Sequence, residues 1–211
     1  MRKWLAPAII ALAIAFSAAV YARLPERLPV HWNLHGEVDR YGSRAEGAFF
    51  LPGLMLLLWM LLRFLPRIDP RRANYAKFGD TYDLLVNSLV ALFAVMHVAL
   101  IGSSLGWPVS MARVLPALVG LQFIILGNAL PRARSNWWFG IRTPWTLSNE
   151  RVWARTHRVG GYLLAGAGFV LLVAAALPNV WTFALGVAAV GSAAVGSLVY
   201  SYFAWKQETA K

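Results

Sequence analysis

Residues 159–204 read VGGYLLAGAGFVLLVAAALPNVWTFALGVAAVGSAAVGSLVYSYFA. No Asp, Glu, Lys or Arg interrupts them. A helix that crosses a bilayer needs about 20 mostly apolar residues. This stretch holds two such runs, Val159–Leu177 and Val180–Ala204, divided only by Pro178 and Asn179. So short a connection forces an antiparallel helical hairpin.

Four further apolar runs precede it: Trp4–Tyr21, Ala48–Leu65, Leu84–Ile101 and Val114–Leu130. Arg63 falls near an end of the second and can snorkel to the headgroups. Pro116 is expected in the first turn of the fourth, where a missing N–H costs little. The predicted fold class is therefore an all-α integral membrane protein with six transmembrane helices. Composition agrees, with 59% of residues hydrophobic and only 14% charged, against about a quarter charged in soluble domains. A soluble fold of this length could not bury that much apolar surface, and a disordered chain would not carry it. The 10 Trp residues suit membrane–water interfaces. With no Cys, disulfides, thiolate catalysis and Cys-ligated metals are excluded.

Basic residues set the expected orientation, since cytoplasmic loops carry an excess of Lys and Arg. The N-terminus, the Arg63–Lys77 linker, the Arg132–Arg158 segment and the tail together hold 15 of the 20 Lys and Arg. Both termini are expected inside, with an external loop over Arg23–Gly47. The net charge of +11 is then a property of cytoplasmic loops, and direct nucleic-acid binding is not expected. A cleaved signal peptide is the alternative reading of the first span. Its apolar run is long for that, and five spans follow. The expected organisation has two parts. Residues 1–81 form a first helical pair with the external loop and a basic linker. Residues 82–211 form a four-helix region.

The last two spans are rich in small residues. Gly161, Ala165 and Gly168 mark the fifth, and Ala184, Ala188, Ser192 and Gly196 recur every four residues along the sixth. These ridges allow close backbone approach, and are expected to pack against each other within the hairpin. Among the few polar residues inside the spans, His97 is expected to be buried and hydrogen-bonded to a Ser or to backbone.

Two loops carry the candidate functional residues. The external one reads LPVHWNLHGEVDRYGSR, residues 28–44. His31, His35 and Asp39 are spaced as metal ligands on a helix would be, but Pro29, Asn33 and Gly36 favour turns. No metal is expected. A compact loop is, closed by an Asp/Arg contact and anchored by Trp32 and Tyr41, and able to recognise an external peptide or solute.

The cytoplasmic loop reads SNWWFGIRTPWTLSNERVWARTHRVGG, residues 135–161. Thr143-Pro144 imposes an extended backbone. Ser148 is a candidate N-cap, with Glu150 in the first turn. The helix it starts would run through Trp153 and His157 into the fifth span. One reading makes this an interfacial amphipathic helix with its Trp residues among the headgroups. The other makes it a docking platform, with the Arg142 guanidinium forking onto a partner carboxylate or onto Glu150. No Gly-rich phosphate loop, GxSxG, HExxH or paired intramembrane Asp occurs. Catalysis and cofactors are accordingly not expected.

GIRTPWTLSNERVWARTHRVGG, residues 140–161, resembles the signature of the SdpI family, bacterial immunity proteins against the sporulation-delaying toxin peptide. LPVHWNLHGEVDRYG resembles the small N-terminal domain of unknown function that often precedes it. The resemblance implies a signature loop made of Gly140, Arg142, Thr143, Pro144, Trp145, Thr146 and Leu147, with Glu150, Trp153, Thr156, His157 and Gly160 behind it. It implies an external recognition loop containing Pro29, His31, Trp32, Asn33, Gly36 and Asp39; His35 does not match. It further implies a non-enzymatic immunity protein of the bacterial cytoplasmic membrane. A peptide toxin would be the partner outside, and a cytoplasmic repressor the partner inside. The alternative is a small transporter or channel. That reading needs a continuous polar path, and the polar residues in the spans sit at staggered depths.

Overall fold

The computed structural model describes residues 2–33 and 36–210. Six long helices are apolar and long enough to cross a bilayer. They are α1 (Leu5–Val20), α2 (Arg44–Ile68), α3 (Gly79–Ser104), α4 (Met111–Ala129), α6 (Glu150–Ala176) and α7 (Val180–Thr209). Between α4 and α6 lies a short helix, α5 (Pro144–Ser148). Several helices overrun the apolar runs that announce them. α6 begins nine residues before Val159, because a helix continues past the hydrocarbon wherever a cap permits.

The caps are specific. Ser43 accepts from the Glu46 N–H and starts α2. Asn149 accepts from the Arg151 and Val152 N–H groups and starts α6. The cap is thus one residue beyond Ser148, which instead ends α5. Asn179 caps α7 in a reciprocal box with Thr182, so Pro178-Asn179 both stops one helix and starts the next. α4 begins three residues before Val114, which places Pro116 in its second turn rather than its first.

The segment between α1 and α2, expected as a compact loop, is a β-hairpin. Strand β1 (Arg27–Trp32) pairs antiparallel with β2 (Val38–Ser43). Gly36 turns the chain at φ +79°, a conformation that glycine adopts without strain. Leu28 is fully buried, packed with Leu24, Ala48, Leu100 and Ile101. The hairpin therefore stands on α2 and α3 at one end of the bundle, and its turn reaches the start of α4, where a Cβ on Gly36 would meet Ala112.

α1, α2 and α3 pack together through Ala6, Ile10, Ala13, Met55 and Val90. Ser17 on α1 donates to the Ala48 carbonyl on α2 at 2.6 Å. That uses its only proton, so the His97 ring on α3 donates from Nε2 to Ser17 Oγ at 2.7 Å. The expected Ser partner of His97 is thereby Ser17, and one hydrogen-bonded chain joins all three helices.

α4 and α6 meet almost backbone to backbone. A Cβ on Gly120 would lie 2.6 Å from the Gly168 carbonyl, and one on Gly127 would lie 2.5 Å from that of Gly161. Gly161 and Gly168 of α6 thus serve α4, and α7 packs on another face. Here the expected α7 ridge is corrected. Ala184, Ala188 and Ser192 are exposed, and the buried stripe is Gly186, Ala193, Ser197, Ser201 and Ala204. The reason is the helical period. Steps of four drift about 40° each, whereas a step of seven returns to within about 20° of the same face. Large apolar side chains such as Leu12, Phe50, Leu57, Phe169, Trp181 and Val195 point outward, as a lipid environment requires.

Candidate functional site

At the end of the bundle that carries the N-terminus, residues 133–147 form a fixed loop built around two buried polar groups. Asn136 is wholly buried. Its Oδ1 accepts from the Trp138 N–H at 2.9 Å and the Phe139 N–H at 2.7 Å. Its Nδ2 donates to the Arg134 and Phe139 carbonyls at 2.9 and 3.0 Å. Asp69, from the turn after α2, is equally enclosed. Its carboxylate accepts from the Trp137 N–H at 2.9 Å, the Arg71 N–H at 2.7 Å and the Tyr75 hydroxyl at 3.0 Å. The Tyr75 hydroxyl also lies 3.2 Å from Asn136 Oδ1. Burial, and then the bond to Asp69, raise the Tyr75 pKa above its ordinary value, so the hydroxyl remains a donor.

The same linker clamps the loop at both ends. Arg71 donates to Ser135 Oγ through one guanidinium nitrogen, and to the Leu147 carbonyl at 2.7 Å through the other. Asn74 donates to the Ser135 carbonyl at 2.8 Å. Asp69, Arg71, Asn74 and Tyr75 were not among the residues expected from sequence, where 63–77 read only as a basic linker. The available signal was Asp69-Pro70, since an Asp before Pro favours a turn that its carboxylate closes.

Beneath the loop, His157 donates from Nδ1 to the Trp153 carbonyl at 2.8 Å, leaving Nε2 to accept the Ile141 N–H at 3.0 Å. Trp153 stacks on His157 with ring centroids 3.9 Å apart. Its Nε1 donates to the Ala133 carbonyl at 2.9 Å. Trp153 is only 2% exposed, which corrects its placement among the headgroups; Trp137 and Trp138, which are half exposed, fit that place. Gly140 sits at φ +110°, with its α-carbon against the His157 ring.

Thr143 caps α5 in a box with Thr146, whose Oγ1 donates to the Ile141 carbonyl at 2.8 Å. Thr143 Oγ1 reaches Ser201 on α7 at 3.1 Å, and Trp145 packs edge-on to Tyr202. Arg142 is exposed, and donates to the Trp137 carbonyl at 2.5 Å. The expected fork onto Glu150 is thus replaced by a contact inside the loop. The guanidinium follows the turn made by Gly140, whereas Glu150 starts a helix on the far side of α5. Arg151 pairs with Glu208 at 2.9 Å, tying α6 to the end of α7.

At the opposite end lies the hairpin. Asp39 does not close it onto an Arg; its carboxylate meets His31 Nδ1 at 2.6 Å, and Arg40 instead pairs with Glu46 at 2.7 Å. Adjacent side chains in a strand point to opposite faces, so Asp39 and Arg40 take different partners. Trp32 is partly buried against the Leu28 cluster, whereas Tyr41 is 58% exposed, opposite Pro29 in the hairpin. Asn33 accepts from the Glu37 N–H at 3.0 Å. His35 lies outside the described residues. Under the hairpin is a cavity of about 350 Å³. Phe50, Leu54, Phe93, Met96 and Leu115 give it an apolar lining, to which His31, Arg40 and Glu46 add polar groups.

Residues 8–56 match the model of a domain of unknown function, DUF1648, and residues 132–201 match that of the SdpI/YfhL protein family. The chain is also 27% identical over 199 residues to a protein of Bacillus subtilis (strain 168) named Immunity protein SdpI. That alignment covers 94% of this chain and 93% of the relative. No solved structure matches. The two matched regions contain the hairpin and the clamped loop respectively.

Proposed function

We propose that this multi-pass membrane protein, whose residues 132–201 match the SdpI/YfhL family, protects the bacterial cell membrane against an apolar, membrane-active peptide, without catalysis. The observation that carries this reading is the cavity under the hairpin. An apolar lining that also carries the Arg40–Glu46 pair suits a ligand that brings apolar side chains and a polar backbone together. Both termini lie inside in this reading, because the end holding the clamped loop carries most of the basic residues. The hairpin then meets the peptide from outside. Trp137, Trp138 and Arg142 offer a surface to a cytoplasmic partner such as a repressor.

Orientation is testable by single-cysteine labelling, since the chain has no Cys. Tyr41→Cys is expected to react with an impermeant maleimide in intact cells, and Ser148→Cys only after lysis. The reverse pattern would invert the assignment. The cavity is tested by Leu54→Trp, which fills it from α2. A sensitive bacterium expressing this variant at normal membrane levels is expected to lose most of its protection against an added apolar peptide toxin. Full protection by Leu54→Trp would remove the cavity from the mechanism.

A further inference from the structure

A second cavity, of about 810 Å³, opens at the other end of the bundle, beside the clamped loop. Three separate parts of the chain line it. Lys3 comes from the N-terminus, Lys77 and Asp80 from the entry to α3, and Arg132 and Arg134 from the exit of α4. The four cations face two carboxylates, and Asp83 is already engaged by Arg63 at 2.5 Å. Among the described residues, Lys77 donates to Asn74 Oδ1 alone, at 3.1 Å. Among the described residues, Lys3, Arg132 and Arg134 have no carboxylate within ion-pair distance. Like charges lining one cavity without enough carboxylates to match them repel, and an anion among them relieves that repulsion. The entry to α3 adds to this, since no side chain caps its first N–H groups.

We propose that this cavity is a binding site for the headgroup of an anionic phospholipid, whose phosphates lie between Arg132, Arg134 and Lys77. A lipid is favoured over a soluble phosphate by what flanks the cations. Trp4 and Leu5 follow Lys3 and are 77% and 50% exposed, and Leu84, one turn below Asp80, is 42% exposed. These exposed apolar side chains adjoin cavity-lining residues in the chain, and offer acyl chains a surface to lie against. Basic pockets between transmembrane helices are known to take such headgroups. Guanidinium groups fork onto phosphate oxygens, which a diffuse surface charge cannot do. Arg134 directly precedes Ser135 and Asn136, so an occupied site would hold the entry to the clamped loop.

The test is native mass spectrometry of the full chain in detergent micelles, titrated with cardiolipin, phosphatidylcholine or inorganic phosphate. This readout depends neither on membrane orientation nor on immunity. The wild type is expected to retain cardiolipin and to ignore phosphatidylcholine and millimolar phosphate. Arg132→Gln/Arg134→Gln should bind cardiolipin roughly thirtyfold more weakly, from the loss of two charges. Lys77→Gln alone should give about a fivefold loss. Arg158→Gln removes an exposed charge at the same end but outside the cavity, and should bind as the wild type does. Melting temperatures without lipid establish that each variant is folded. Wild-type retention by the double variant, or an equal loss in Arg158→Gln, would overturn a built headgroup site. Saturation by inorganic phosphate would replace it with a site for a soluble anion.

Discussion

Gly140→Ala is expected to cut the amount of protein in the membrane to a small fraction of wild type, and to lower the melting temperature of what remains by about 10 °C. Two costs combine. The backbone at φ +110° suits glycine alone, and forcing a side chain there costs about 1–3 kcal/mol. The added Cβ would also lie 2.2 Å from His157 Nε2. That ring cannot retreat. Its face is stacked on Trp153, its Nδ1 is held by the Trp153 carbonyl, and Trp153 is itself fixed to Ala133. Relief requires moving the loop away, which breaks the bond from the Ile141 N–H to His157. Gly166→Ala is the control, because a Cβ there meets nothing within 4 Å; it should leave stability unchanged or slightly raised. Thermal unfolding in detergent followed by Trp fluorescence reads both variants. Equal melting temperatures would mean that the loop does not require its close approach to His157.

Asn136→Ala and Asp69→Ala should be comparably severe, and together far less than additive. Asn136→Ala strands the Trp138 and Phe139 N–H groups, and Asp69→Ala strands the Trp137 and Arg71 N–H groups and leaves the Tyr75 hydroxyl only its longer bond to Asn136. A buried donor left without a partner costs about 1–3 kcal/mol, so each variant should lose about 3–5 kcal/mol. That is a large part of the stability a typical fold possesses. Tyr75 touches both groups, so either substitution already frees the loop that the other would free. Asp69→Asn keeps one oxygen for the Trp137 N–H and the Tyr75 hydroxyl but turns an amide nitrogen towards the Arg71 N–H, and should fall between. A double-mutant cycle on melting temperature measures the coupling. Strict additivity would mean that Asp69 and Asn136 support separate structures.

The membrane architecture was readable because its cause is local. Burying about 20 apolar residues in hydrocarbon is a property of one segment, whatever its neighbours do. Six runs in the sequence therefore became six helices. The short turn at Pro178-Asn179 follows from the same local logic. The signature residues from Gly140 to His157 were also recognisable, because their types and spacing stand in one stretch of chain.

What tertiary structure alone decided is how these pieces meet. Nothing in the spacing of Gly161 and Gly168 says whether they serve α4 or α7; the choice depends on a reciprocal pair, Gly120 and Gly127, more than 30 residues away. Nor does a single charged residue in a basic linker declare itself buried. Asp69 is stable there only because Trp137, from a loop 68 positions on, brings an N–H to it. The hairpin likewise needed the platform of α2 and α3 under Leu28, since an isolated two-stranded ribbon is marginal in water. Segment hydrophobicity fixes what enters the membrane, whereas the partner of each buried polar group is fixed only once the segments have packed.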